Sequence, residues 1–243
     1  MDVVLIAGFW LGGDSWSEVA PGLRAAGFRV HTPTLSGMSS VSDDRSEVTL
    51  ASHVAEVIAL VDELTASGGK VVLVGHSGGG SVIHAVADAR PHSVARGIYV
   101  DSWPTADGMA INEELEAVGS DVPLPGWEVF GEADLRDLTE PLRQRFRSVA
   151  VPEPVGVARS PQRLSDPARF DVPITLIAST FTRAELDEYT ASGHPLFAEL
   201  PSIRSVEVVE LPTGHWPQFT KPKELTRAIA EAAGGADTGD RVE

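Results

Sequence analysis

The ten residues VVLVGHSGGG at 71–80 join an aliphatic run to a serine with glycines on both sides. Lys70 opens the run, and SVIHAVADA at 81–89 continues it with helical character. A strand, a sharp turn and a helix are therefore expected in that order, with Ser77 on the turn. Gly75-His76-Ser77-Gly78-Gly79 fits G-x-S-x-G, where a strained backbone at the serine requires small neighbours. The free amides that open the next helix suit negative charge developing beside the serine. A dinucleotide loop fits less well, because its G-x-G-x-x-G follows the first strand and has another spacing. The Gly-Lys-Ser/Thr of a Walker loop is absent. Ser77 is thus a candidate nucleophile, with a plain Gly-Ser turn as the structural alternative.

Outward from this stretch, short aliphatic runs alternate with helical patterns. The strand candidates are VVLIAG (3–8), FRVHTP (28–33), KVVLVG (70–75), ARGIYV (95–100), PITLIA (173–178) and SVEVVEL (205–211). Several are continuously apolar, as strands covered on both faces are. In TLASHVAEVIALVDELTAS (49–67), Leu50, Val54, Val57, Ile58, Val61 and Leu64 recur every three or four residues, and Gly68-Gly69 ends the pattern. The alternation implies an α/β fold, a parallel sheet with helices on both faces. Residues 102–170 break the rhythm: they are rich in proline and hold two of the five tryptophans, with no convincing strand and a helix-like stretch at 132–149. This region reads as a cap inserted after a strand, within one domain spanning 1–233. GGADTGDRVE (234–243) reads as a frayed tail.

Composition narrows the function. The 243 residues carry 19 Lys+Arg against 35 Asp+Glu, a formal charge of −16. Such an acidic chain, with no basic cluster, argues against nucleic acid or an anionic membrane as partner. With no cysteine, disulfides, thiolate metal sites and cysteine nucleophiles are excluded. The opening MDVVLIAGFWLGG lacks a basic leader region and reads as strand and loop. No run approaches the ~18 apolar residues of a membrane span, so a cytoplasmic protein is expected. No metal is implied, since neither His-x-x-x-His nor EF-hand spacing occurs, and no organic cofactor is needed.

Three segments together, GFWLGGDSW (8–16), GHSGG (75–79) and PTGHWPQF (212–219), resemble the α/β-hydrolase family over about residues 3–233. The early loop and DSWPTADGMAINEE after Val100 are similar to the methylesterase and hydroxynitrile-lyase branch. The resemblance implies a mostly parallel sheet, a small helical cap and GHSGG as nucleophile elbow. Of seven histidines, His215 stands out, because it follows the last strand in a Thr-Gly-His-Trp-Pro turn. Loops at the carboxyl ends of parallel strands share one face, so His215 can meet Ser77 and act as its base. His76, His84 and His53 read as packing, and His31 as a strand-end residue able to line a pocket. His92 and His194 adjoin prolines in loops.

The family's acid usually follows the penultimate strand, but Thr182 falls at that place in IASTFTRAELDEY. Asp101, at the end of the strand after the elbow helix, is the replacement some members use, and it would fix the histidine tautomer. Glu185 or Asp187, or no acid at all, are the alternatives. The resemblance also implies oxyanion donors at the Gly78 and Phe9 amides, with Ala7-Gly8 where the family has His-Gly. Trp10, Trp103, Trp127 and Trp216 are candidates to line an apolar site, with Leu124, Phe130, Leu142 and Phe146 as its roof. The expected activity is a serine hydrolase acting through an acyl-enzyme on a small apolar carboxylic ester, with lactone and thioester as variants. The alternatives are a lyase, cofactor-free dioxygenase or perhydrolase on the same fold, or a non-catalytic receptor. A pocket lysine would favour the lyase, yet the three lysines, Lys70, Lys221 and Lys223, are poorly placed for one.

Overall fold

A computed structural model describes residues 1–236. Its elements run β1 (Asp2–Ile6), α1 (Ala20–Ala25), β2 (Arg29–His31), α2 (Leu50–Thr65), β3 (Val71–His76), α3 (Gly79–Ala89) and β4 (Val94–Val100). Then come β5 (Asp121–Val122), α4 (Glu140–Val149), β6 (Glu153–Pro154), α5 (Val155–Arg159), β7 (Ile174–Ala178), α6 (Arg183–Ala191), β8 (Val206–Glu210), α7 (Pro217–Thr220) and α8 (Pro222–Ala236). All six strand candidates form one sheet, in the order β2-β1-β3-β4-β7-β8, with every pair parallel.

Alternation along the strands builds two cores. Val4, Ile6, Leu73 and Leu176 face one side, against Leu50, Val57 and Val61 of α2 and Val82, Ile83 and Val86 of α3. Val3, Leu5, Val72, Val74 and Ile177 face the other, against Leu23 of α1 and Leu225, Ile229 and Ala233 of α8. Double coverage explains why β1, β3 and β7 are buried at every position. β8 is an edge strand, and its exposed Glu207 and Glu210 guard against edge pairing. Thr49 caps α2 by accepting the Ser52 amide, and the positive φ of Gly68 and Gly69 (87° and 103°) turns the chain into β3. The succession reverses between β1 and β3, so the loops after these two strands flank one crevice at the carboxyl edge.

The chain between β4 and β7 holds two short strands, β5 and β6, paired antiparallel, where none was expected. α4 starts only at Glu140, not at 132, because Pro141 belongs in a first helical turn and Asp137 just before it has φ 62°. Val122, Leu138, Phe146 and Val157 of this segment pack with Phe9, Trp10, Leu11, Trp216 and Phe219 of the main body in a third core. Phe146 is fully buried there, and truncating such a phenylalanine typically costs about 3–5 kcal/mol. At the other end, α8 continues through Gly234 and Gly235 to Ala236, into the stretch expected to fray. The remainder of that expected tail, 237–243, lies outside the described residues.

Candidate active site

Ser77 sits between β3 and α3 at φ 51°, a left-handed conformation that non-glycine residues rarely adopt. The turn stays that tight because its neighbours lack side chains. A Cβ on Gly75 would lie 2.5 Å from the Gly79 carbonyl oxygen, and one on Gly79 would lie 2.6 Å from that of Ala7. The Ser77 amide donates to the Val100 carbonyl (3.1 Å), and the Ser102 hydroxyl donates to the Ser77 carbonyl (2.7 Å). The strained residue is therefore held from β4 as well as by its own turn.

His215 follows β8 in the loop before α7. Its amide donates to the Asp134 carbonyl (2.9 Å), and its carbonyl accepts from Nε2 of buried His76 (2.7 Å). The Nδ1 of His76 then accepts from the Gln218 side-chain amide (3.2 Å). Burial, with the nearby charge of His215, pushes His76 down to about 3, so it stays neutral and serves as a fixed donor. The Ser77 hydroxyl donates to Nε2 of His215 (2.8 Å), and Nδ1–H of His215 donates to Asp101 Oδ2 (2.6 Å).

Asp101 lies at the end of β4 with φ 44°. Its Oδ1 accepts the amides of Ser179 (2.9 Å) and Thr180 (2.8 Å), and the Thr180 hydroxyl donates to the same carboxylate. Burial acts to raise the Asp101 carboxyl, but the bond to His215, its charge and the two amides outweigh burial and hold it below the ordinary range. Burial acts to lower His215, while the bond and charge of Asp101 and the charge of Asp134 raise it overall. The other two candidate acids point elsewhere. Glu185 closes a capping box with Thr182 at the start of α6, and Asp187 pairs with Arg183 at 2.9 Å, both exposed. Thr182, which falls at the usual place of the family's acid, is a helix cap here.

Around Ser77, Asp101 and His215 opens a cavity of about 770 Å³. Its lining includes Phe9, Trp10, Gly78, Trp103, Ile111 and Phe130. The amides of Phe9 and Gly78 donate to no other described group, and the Phe9 ring lies against Gly78. Trp103 and Trp10 thus line the cavity as expected. Trp127 and Trp216 do not: they stack edge-on at 6.0 Å, with Phe146 against both, inside the third core. A helix-like reading of 132–149 could not show that this apolar cluster closes on itself. Of the expected roof only Phe130 lines the cavity; Leu124, Leu142 and Phe146 pack behind it. His31 bonds Asp2 (2.9 Å) and does not line this cavity.

Two contributors had no signal in the sequence. Asp134 brings both a carbonyl and a charge to His215, and Glu153 accepts the Trp10 amide (3.1 Å). Trp10 has φ 65°, a conformation that costs a bulky residue roughly 1–2 kcal/mol and persists only when neighbours enforce it.

The model of the alpha/beta hydrolase family matches residues 3–228. A pyrethroid hydrolase of Sphingobium wenxiniae is 28% identical, covering 96% of this chain and 87% of its own. A carbendazim hydrolyzing esterase of a Nocardioides species is 29% identical, covering 93% and 97%. Among solved structures, an extracellular alpha/beta-hydrolase from a Paenibacillus species superposes with TM-score 0.75 at 22% identity, over 96% of this chain and 99% of the other. No described helix is long and apolar enough to cross a membrane. With the sheet order, the elbow and a family match over nearly the whole length, the chain belongs to the alpha/beta hydrolase family.

Proposed function

We propose that this protein is a serine hydrolase that cleaves a neutral, largely apolar carboxylic ester through an acyl-enzyme on Ser77. The observation that carries the reading is the unbroken line Asp101–His215–Ser77, opening on the large cavity. His215, neutral with its proton on Nδ1, takes the Ser77 proton as Oγ attacks the carbonyl carbon. The oxyanion forms against the free amides of Phe9 and Gly78, each worth about 3 kcal/mol of transition-state stabilisation. His215 then protonates the departing alkoxide, the C–O bond breaks and the alcohol leaves. A water, deprotonated by His215, attacks the acyl carbon and releases the acid and Ser77.

The names of the two curated relatives support a hydrolase, and that of the Nocardioides protein an esterase. The cavity supports the substrate class: Phe9, Trp10, Trp103, Ile111, Leu115 and Phe130 offer apolar surface, Glu114, Glu116 and Asp134 supply negative charge, and no described lysine or arginine lines it. That lining also speaks against the lyase alternative, which a cation beside the leaving group would favour.

The test is a fluorophosphonate probe with p-nitrophenyl butyrate turnover, on wild type and Ser77→Ala. Labelling mapped to Ser77 and turnover lost in Ser77→Ala are expected. A folded wild type that neither labels nor turns over the ester would overturn the reading.

A further inference from the structure

Glu153 is buried (3% exposed) on β6, and among the described residues its side chain's hydrogen-bond partner is a backbone amide in the loop after β1. That loop is held at three points, two by the β5–β6 ribbon and one by the segment that leads into β6. Glu153 Oε2 accepts the Trp10 amide (3.1 Å), the Val151 amide donates to the Trp10 carbonyl (3.0 Å), and Trp10 Nε1 donates to the Val122 carbonyl (3.1 Å). Val122 and Glu153 are register partners, and Val151 lies two residues before Glu153, so the three bonds come from the ribbon and the residues leading into it. Trp10 is also the left-handed residue directly after Phe9, which lines the cavity together with Ser77 and whose amide donates to no described group. Glu153 also lines a cavity of about 20 Å³ together with Phe9, Gly78 and Gly79.

We propose that Glu153 is a positioning residue for acyl transfer, holding the Trp10 turn so that the Phe9 amide points at the developing oxyanion. This rests on the acyl-enzyme reading above. The ionisable groups facing Glu153 are few. His53 of α2 lines the same small cavity and donates to the Ser36 carbonyl (2.8 Å). Arg45, from the loop before α2, is buried, bound to the carbonyls of Ser40, Val41 and Asp43, and 3.7 Å from Asp121 of β5. Burial raises Glu153 to about 8, against the Trp10 amide and the charge of Arg45, which act to lower it. Near neutral pH the carboxyl is therefore protonated and still accepts the Trp10 amide. Above that range it becomes an anion behind the oxyanion site, where it opposes the charge of the transition state.

The experiment compares Glu153→Ala and Glu153→Gln with wild type in ester turnover from pH 6 to 9.5, after thermal melts show all three folded. Glutamine mimics the protonated acid, with one acceptor and one donor. The expected result is kcat reduced about 10- to 100-fold in Glu153→Ala with KM within about twofold, as for a weakened oxyanion donor. Glu153→Gln restores kcat at pH 7 to within about threefold, and it lacks the decline that wild type shows above about pH 8. An alanine variant with wild-type kcat, a loss confined to KM, or a glutamine variant that keeps the alkaline decline would each overturn the proposal. If Ser77→Ala proved as active as wild type, the acyl-enzyme reading itself would fall, and this proposal with it.

Discussion

Replacing Asp101 by asparagine tests the site most directly, because the structure dictates which way the new amide must turn. Two backbone amides, of Ser179 at 2.9 Å and Thr180 at 2.8 Å, point at Oδ1. A side-chain NH2 group in the Oδ1 place would face two donors and leave both amides unpaired in a buried site, at about 1–3 kcal/mol each. The side-chain oxygen of the asparagine is therefore expected to keep that place. Its NH2 group then stands against Nδ1 of His215, where Oδ2 now accepts at 2.6 Å. His215 must then accept at Nδ1 and carry its proton on Nε2, the nitrogen that has to receive the Ser77 proton. The base is lost without any loss of shape. A wrong tautomer of this kind lowers kcat by roughly 10³–10⁴, or about 4–5 kcal/mol of barrier. The assay is steady-state hydrolysis of p-nitrophenyl butyrate, with the melting temperature measured in parallel. Asp101→Asn with kcat within tenfold of wild type, at unchanged melting temperature, would refute the reasoning and remove Asp101 from the line.

Further predictions concern pH, packing and charge. In the proposed mechanism His215 acts only when neutral, and its pKa is raised by Asp101 and Asp134 over the opposing effect of burial. The rate is therefore expected to fall with decreasing pH in a range above that of an ordinary histidine. Asp134→Asn should move that limb to lower pH in a kcat/KM profile, whereas an unmoved limb would deny Asp134 its electrostatic part. Gly8→Ala would set a Cβ 2.8 Å from both His76 Nδ1 and Ser77 Cβ and 2.9 Å from the His76 carbonyl oxygen. Since these atoms are the rigid base of the site, activity should drop at least ~100-fold, and a well-folded, fully active Gly8→Ala would contradict the packing. Glu114, Glu116 and Asp134 border a cavity that no described lysine or arginine lines. A p-nitrophenyl ester bearing a free carboxylate should thus show kcat/KM at least ~10-fold below its neutral isostere at low salt, and equal rates would remove charge as a selector.

Much of this protein is fixed by local pattern. Strands buried on both faces must be apolar throughout, so β1, β3 and β7 of the main sheet stand out in the chain. The crowding at Ser77, which only Gly75 and Gly79 can accommodate, makes the elbow readable from ten residues. Parallel strand order then sends the loops bearing Ser77, Asp101 and His215 to one edge, although 24 and 138 positions separate the serine from the other two. The choice of Asp101 over Glu185 or Asp187 was open to sequence, because a carboxylate carries no mark of its partner. In the structure it is Asp101 that bonds His215, with the amides of Ser179 and Thr180 on its other oxygen, while Glu185 is engaged in a helix cap. The cap was the least legible part. Its helix begins beside Pro141, and its aromatics are as apolar as a pocket lining, yet Trp127 and Trp216 pack on Phe146 instead of facing the cavity. The hold of Glu153 on Trp10 spans 143 residues and joins a side chain to a backbone amide. Since every residue but proline has such an amide, only the tertiary structure could single this one out.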